Sequence, residues 1–251
     1  MRGRAIVLLG ILFLCVAIAR WPASSIARQL PAPLACLEAR GTLWRGACDN
    51  TTVGGMALGQ LSWQLKFWPL LTGRVAANLQ LRGSGVSLDT DLVARRDKSL
   101  QLRALQGDAQ LAALAPILRA GGVKVPDGFG GVARARVQEL RLAANGRIAL
   151  VRGTLEIDNL TQTVAPAALG SWLLSFDGAL SAENDPVGNL VDRGGPFDFR
   201  GTLRLTPAPG YILEGALAPR AGVPPEVVNA LRYMGGADAA GRRPFGIEGN
   251  F

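Results

Sequence analysis

Between Leu61 and Phe67 the chain alternates without a break. Leu61, Trp63, Leu65 and Phe67 fall on one face, and Ser62, Gln64 and Lys66 on the other. A period of two with one apolar face predicts a half-buried β-strand. Pro69 ends it, and Gly73 opens the next strand after a short Leu70-Leu71 turn. That strand sets Val75, Ala77, Leu79 and Leu81 against Arg74, Ala76, Asn78, Gln80 and Arg82. Gly83-Ser84-Gly85 turns the chain into a third run through Val86, Leu88, Thr90 and Leu92, and Leu100 and Leu102 mark a fourth. Strands joined in this way predict an up-and-down antiparallel meander with one apolar and one wet face.

The period then changes. From Asp108 to Ala120, Leu111, Leu114, Ile117 and Leu118 follow helical spacing, with Asp108 placed to cap the start and Gly121-Gly122 to stop it. Pro116 lies inside and must kink or shorten such a helix. A second meander follows. Asn145-Gly146 is the strongest hairpin signal in the chain and joins Leu140–Ala144 to Arg147–Arg152. The inward phase slips between Val137 and Leu140, which predicts a bulge near Gln138. Leu155 and Ile157 continue the sheet, and Ala165–Trp172 reads as a second short helical piece bearing Pro166. Phe197, Phe199, Leu203 and Leu205 alternate again, and Pro207–Gly210 turns into Tyr211–Leu217. Pro224-Pro225-Glu226 starts a short helix with Val227, Val228, Leu231 and Met234 on one face, and a last strand ends at Phe251. Gly-Thr-Leu recurs at Gly41, Gly153 and Gly201, but so short a repeat does not define a duplication.

Upstream of the strands, Ala5–Ala19 carries no charge and is flanked by Arg2 and Arg4 on one side and Arg20-Trp21 on the other. As a helix this run spans about 22 Å, against a hydrocarbon core of about 30 Å. Interfacial Trp21 and snorkelling arginines can make up the difference. The rival reading is a cleaved signal peptide with Ala17-Ile18-Ala19 at the cleavage site. Both readings export the rest of the chain, and an uncleaved anchor over residues 1–21 is the expectation carried forward. Residues 22–35, rich in Pro, Ala and Ser, read as a linker, and residues 36–251 as one β-rich domain of two meanders, roughly 36–122 and 123–251.

Composition narrows the chemistry. The 251 residues include no histidine, which removes the commonest general base and zinc ligand. Three cysteines cannot build a zinc site. Outside the cytosol, Cys36 and Cys48 are expected to pair, leaving Cys15 in the anchor. The net charge is +8, and only Lys66, Lys98 and Lys124 of the 27 basic residues are lysine. Nucleic-acid binding needs basic residues gathered on one face. Here the arginines are spread singly along polar strand faces, so no nucleic acid is expected as a partner. They suit a solvated surface and attraction to anionic lipid headgroups. Asp89 and Asp91 form a nameable carboxylate pair, but they alternate on the wet face of a strand, where solvation explains them. No catalytic, cofactor-binding or metal-ligating residue is assigned, and no small-molecule substrate is expected.

Five pieces in order carry a resemblance: the N-terminal anchor, Gly41-Thr42-Leu43-Trp44-Arg45-Gly46, Leu58-Gly59-Gln60-Leu61-Ser62-Trp63, Pro69-Leu70-Leu71-Thr72-Gly73, and a tail with Leu231-Arg232-Tyr233-Met234-Gly235 and Gly241-Arg242-Arg243-Pro244-Phe245. Together the chain resembles the type II secretion system protein N (general secretory pathway protein N) family. The resemblance implies a single-pass inner-membrane protein with its C-terminal domain in the periplasm. It implies a non-enzymatic accessory of the machine that exports folded proteins across the outer membrane. Other secretion components are its implied partners, with inner-membrane lipid around residues 5–19. The Cys36/Cys48 pair is not part of that pattern. The Trp63 strand followed by Pro69-Leu70-Leu71-x-Gly73 also resembles AsmA-like envelope proteins. The expected fold is mainly β: an anchor, then a curved antiparallel meander with a few short helices and an AsmA-like flavour. That second resemblance implies a rival use, in which Trp63, Leu65, Phe67, Leu79 and Leu81 line an open groove for lipid.

Overall fold

The structure is a computed structural model, and it describes residues 10, 13, 16–27, 34–120, 128–162, 167–207, 210–223, 225–231 and 235–250. Its strands are β1 (Leu34–Cys36), β2 (Ala39–Gly41), β3 (Arg45–Val53), β4 (Met56–Lys66), β5 (Arg74–Gly83), β6 (Val86–Arg95) and β7 (Leu100–Gln110). They continue as β8 (Phe129–Leu142), β9 (Ile148–Gln162), β10 (Ala167–Asp177), β11 (Val187–Asp192), β12 (Phe197–Thr206), β13 (Gly210–Pro219) and β14 (Arg243–Asn250). The helices are α1 (Ser24–Ala27), α2 (Phe67–Leu71), α3 (Leu111–Ala120) and α4 (Pro225–Leu231). Among the described residues, all fourteen strands belong to one sheet. From β3 onward each strand pairs antiparallel with its neighbours in sequence, while β1 and β2 share the outer edge of β3. β7 pairs with β8 from Leu100↔Leu142 to Gln110↔Val132, so the strands of the two expected meanders join in one sheet.

Local chemistry accounts for the turns and offsets. Asn145-Gly146 closes the β8–β9 hairpin, with the Gly146 amide donating to Ala143 O over 2.9 Å. The expected bulge at Gln138 is present, because Val137 pairs with Gly153 while Glu139 pairs with Arg152. A second bulge puts Ala104 at φ 48°, where Asp89 pairs with Gln106 but Asp91 with Arg103. Each bulge lets the alternation restart in phase on the same face.

The structure departs from the sequence expectation at four places. Pro69-Leu70-Leu71 is not a turn. β4 stops at Lys66, and Phe67, expected to face inward with Trp63 and Leu65, opens α2 and is 53% exposed. Pro69 fits there because an amide in the first turn of a helix has no partner to lose. The helix expected from Asp108 starts only at Leu111, since β7 runs on to Gln110 and Asp108 pairs with Arg134 in register. Ala165–Trp172 is not helical where it is described, because β10 begins at Ala167. Gly170, at φ 87°, bulges that strand and breaks the alternation that would have revealed it. The expected linker is partly folded onto the sheet: Pro22 bridges Thr42, Ala23 is 1% exposed, and Leu34 and Ala35 pair with Val53 and Thr52.

Most of residues 5–19 lies outside the described residues, as does Cys15. Residues 16–19 are helical. Among the described residues no helix is long and apolar enough to cross a membrane.

Two small cores anchor the sheet at opposite ends. One gathers Ala23, Cys48 and Trp63, with Leu61, Leu65 and Leu79 packed against it. The other gathers Phe199, Leu217 and Leu231 of α4, with Trp172, Leu190 and Phe245 around it. The Cys36–Cys48 disulfide ties β1 to β3 with a sequence separation of 12. A loop of that length contributes about 3 kcal/mol in the chain-entropy account.

Close backbone approach makes one glycine testable. Gly59 lies at φ 108°, and a Cβ there would stand 2.3 Å from Arg82 O and 2.5 Å from Gly83 Cα. Gly146 lies at φ 81° with nothing within 4 Å of its Cβ position. Gly59→Ala is expected to cost about 2–4 kcal/mol, from conformational strain plus a forced backbone shift. Gly146→Ala is expected to cost only the left-handed penalty of about 1–2 kcal/mol. Urea unfolding of the two variants checks the difference.

Candidate functional site

The register draws one line of side chains across the sheet. Leu61, Leu81, Leu88, Gly107, Ala135 and Leu155 lie opposite one another from β4 to β9. The line continues through Leu174, Leu190, Gly201, Gly215 and Phe245 to β14. Every member is apolar or glycine. The neighbouring line runs Ser62, Gln80, Asp89, Gln106, Arg136, Thr154, Ser175, Asn189, Thr202 and Glu214, and every member is polar. Neighbouring residues on a strand point to opposite faces, so the sheet is apolar on one side and wet on the other along this whole breadth.

The apolar side is concave. Ile157 and Leu160 of β9 share one cavity of about 400 Å³ with Phe245 of β14, together with Trp172, Leu190, Phe197, Phe199, Leu213 and Leu217. In a flat sheet the five strand steps from β9 to β14 would separate them by about 24 Å. Leu58 of β4 and Leu155 of β9, also five steps apart, line a second cavity of about 260 Å³ under Leu114 and Ile117 of α3. The sheet therefore curls around its apolar face. Small residues in the line make room for large ones: a Cβ on Gly201 or Gly215 would meet Phe199 Cζ at 2.9 or 3.0 Å. Phe199 packs edge-on against Trp172 at 5.5 Å and Phe245 at 5.9 Å.

Asp192 is an acidic residue brought to this face, in register with Trp172, and its side chain is 7% exposed. Burial works to raise its pKa. The Phe199 amide at 2.8 Å, the Arg220 guanidinium and the Gly194 amide at 3.2 Å outweigh burial and hold the carboxyl below its ordinary range. On the wet face, Arg141 and Gln101 hold Glu139 low against its own desolvation. Asp97 is held low by the Ser99 hydroxyl and amide. These carboxyls are shifted away from the proton-holding state that a general acid needs. Asp89 pairs with Arg82 at 2.6 Å and Asp91 with Lys66 at 3.1 Å, so both serve the wet face as ion pairs. Among the described residues no cluster of His, Cys, Asp and Glu could hold a metal ion.

The motif residues singled out from the sequence fall at two separate places. Gly41–Gly46 makes a tight turn, with the Thr42 amide donating to Arg45 O over 2.9 Å and the Arg45 amide to Thr42 Oγ1 over 3.2 Å. Trp44 Nε1 donates to Ile18 O over 2.8 Å, which fastens residues 16–19 to this turn. Gly46 leaves space for the Trp63 indole, whose ring carbon would lie 2.4 Å from a Cβ there, and Trp63 Nε1 donates to Leu43 O over 3.1 Å. Gly59 stands at a bulge of β4, where Thr51 pairs with Gly59 but Thr52 with Ala57; Pro69, Leu70 and Leu71 lie in α2, and Gly73 turns at φ 71° beneath the Arg96 guanidinium. Gly235, Gly241 and Arg242 lie near the other edge. There Arg242 bonds Asp198 at 2.9 Å and Gly235 O accepts from Arg243. The structure thus does not unite the motifs in one site; they brace the two edges of the concave face. Of the residues expected to line a groove, Trp63, Leu65 and Leu79 join the first core, Leu81 lines the cavity under α3, and Phe67 sits outside on α2.

The cavity at the far end was not foreseen as a unit. β11 lacks clean alternation, Trp172 falls in the piece expected to be helical, and only the Phe197/Phe199 alternation pointed to it.

These features define an open, antiparallel β-sheet protein with one concave apolar face and fastened edges. The sequence matches the model of the family described as "Type II secretion system (T2SS), protein N" over residues 32–246, which takes in the sheet from β1 into β14. It is 26% identical over 245 residues to Type II secretion system protein N of Vibrio cholerae serotype O1 (strain ATCC 39315 / El Tor Inaba N16961), with 91% of this chain and 90% of that one covered. No solved structure matches the chain. The chain belongs to the type II secretion system protein N family.

The Asp192 geometry makes a pH prediction. A carboxyl whose folded-state pKa is depressed stabilises the fold above its unfolded value of about 3.9, and that contribution fades as pH falls through the lower folded value. Asp192→Asn is expected to cost about 1–3 kcal/mol at neutral pH, through weakened bonds to Arg220 and the two amides. Its melting temperature is also expected to fall less than that of the parent chain as the solution is acidified below about pH 4. Thermal melts of both proteins across that range check the sign.

Proposed function

We propose that this protein is an accessory, non-enzymatic component of a type II secretion system. In this reading residues 5–19 hold it in the inner membrane as a single span and the sheet stands in the periplasm. It supports the export of folded proteins across the outer membrane through contacts with other components of the machine. The observation that carries this is the family match over nearly the whole sheet. The Cys36–Cys48 disulfide supports an oxidising compartment for the domain. The exposed Phe13, Val16, Ile18 and Trp21 support an apolar, membrane-directed N-terminal segment. The apolar lining of the concave face supports a role in contact. The arginines that pair with carboxylates along the wet face, such as Arg82 with Asp89 and Arg134 with Asp108 and Asp158, support a solvated surface rather than a nucleic-acid one.

A specific observation favours a second reading, in which the concave face binds lipid acyl chains. Among the described residues the apolar line from Leu61 to Phe245 has no second layer over most of its length, and the cavity at its end is lined by side chains that present no polar group. A volume of about 400 Å³ falls within the range of small-molecule pockets.

Two experiments separate these readings. Deletion of the protein in a strain that depends on its secretion system is expected to abolish or sharply reduce release of cargo. Crosslinking in intact envelopes is expected to capture inner-membrane components of the machine. Unchanged secretion and assembly would remove the first reading. Native mass spectrometry of residues 30–251, which keep every strand, is expected to show phospholipid-sized adducts under the second reading; a clean apo mass would remove it.

A further inference from the structure

We propose that the end of the sheet formed by α2 and the β6–β7 turn is a docking surface for an anionic phospholipid bilayer. Phe67, Trp68 and Leu71 enter the interface, and Arg74, Arg95 and Arg96 meet the headgroup phosphates. The inference rests on the inner-membrane reading above and gives the folded domain its own contact with lipid.

Helix α2 has five residues, no buried residue and no side-chain bond at its N-cap. A helix that short does not sustain itself, and this one turns apolar groups outward: Phe67 is 53% exposed, Trp68 78% and Leu71 66%. Val75, the second residue of β5, is a further 45% exposed beside it. Water is the wrong solvent for such an edge. A tryptophan with a solvated N–H and an apolar body suits the membrane–water boundary.

Two observations name the occupant. The first is continuity. The Trp44 ring lies 5.7 Å from that of Phe67, and the Trp44 indole is bonded to Ile18 O. The exposed edge is thus joined to the last turn of the apolar N-terminal run, and Ile18, Ala19, Trp44, Leu65 and Phe67 line one shared cleft. A segment that enters a bilayer there brings this edge to the bilayer surface.

The second is charge. Arg74 stands directly opposite Arg95 in the β5–β6 register, and both are exposed. Like charges in such a pair repel. Arg96 and Lys98 add to them in the adjoining turn, against the single carboxylate of Asp97. A cationic cluster beside an exposed aromatic edge matches anionic headgroups above an acyl layer. A protein surface would have to supply both features together.

The test uses the full chain with Cys15→Ser and a nitroxide on Leu71→Cys, reconstituted in vesicles of phosphatidylcholine and phosphatidylglycerol. A second chain carries the label on Ser84→Cys, in a turn at the opposite end of the sheet. Collision with an aqueous nickel chelate is expected to be severalfold lower at position 71 than at 84. Shielding at 71 is expected to be lost in the Arg74→Ser/Arg96→Ser variant, and reduced in about 1 M salt, where the screening length is about 3 Å. Equal access at 71 and 84 overturns the proposal. So does shielding that grows with protein density, which marks a second copy, or that appears only with other secretion components present, which marks a protein partner. Extraction of the same chain by alkaline carbonate tests the anchor separately. A chain that is released has no anchor, and shielding at 71 on addition of phosphatidylglycerol vesicles still reads the docking surface.

Discussion

The strict two-sidedness of the strand register is the constraint on which the molecule depends. Leu61 to Phe245 form a line with no polar side chain, and Ser62 to Glu214 form a line with no apolar one. Ordinary β-proteins resolve such a face by packing it on another layer. Here one sheet takes all the described strands, so among the described residues much of the face is covered only by its own curvature. Curling brings β9 within reach of β14 and β4 within reach of β9, which removes part of the apolar surface from water without a second sheet. The gain is incomplete. A fully buried Leu is worth roughly 1.5–3 kcal/mol relative to exposure, and Leu81, Leu88, Leu155 and Leu190 are only half-buried.

That deficit explains why the ends are so firmly fastened. At the first edge a disulfide, a tight Gly41–Gly46 turn and the Trp63 indole hold three strands together. At the far edge α4 inserts Leu231 against Phe199 and Leu217, and Arg242 reaches back to Asp198. Between them the backbone hydrogen bonds of long strands carry the sheet, and ion pairs such as Arg134–Asp158 decorate its wet side. Exposed pairs of that kind contribute little each; their service is to keep the convex face charged and solvated.

Most of this was legible where alternation was clean. Trp63 to Leu65, Ala77 to Leu81 and Phe197 to Leu205 announce both the strand and its inward face, and Asn145-Gly146 announces its hairpin. The losses have physical causes. Phe67 kept the alternating phase but was overridden by Pro69, which is compatible with a first helical turn as well as with a strand end. Gly170 bulged β10 and hid Trp172, the largest residue of the far cavity. β11 could not be read because Gly188 and Val191 blur its period. The family motifs were visible as words, yet their meaning was not. Gly46 exists for the Trp63 ring and Gly59 for the Arg82 carbonyl, both contacts between residues far apart in sequence. Curvature has no signature in one strand at all, because it is a property of the accumulated twist and bulges.

An open sheet also has two free edges, which invite pairing with other strands. Both are blunted. On one side β1 and β2 are three residues each, separated by Leu37 and Glu38 and tied by the disulfide. On the other, β14 carries Pro244, which has no amide to offer, along with Arg243 and Glu248. Edge-to-edge association is thereby disfavoured, while among the described residues the concave face is covered only in part, as by Leu114 and Ile117 of α3 and Leu231 of α4. Blunted edges leave little free backbone for strand pairing, so side chains make up most of the surface the sheet offers. Under the proposed role in a secretion machine, contact would rest on side-chain complementarity and leave the backbone of the sheet out of the exchange.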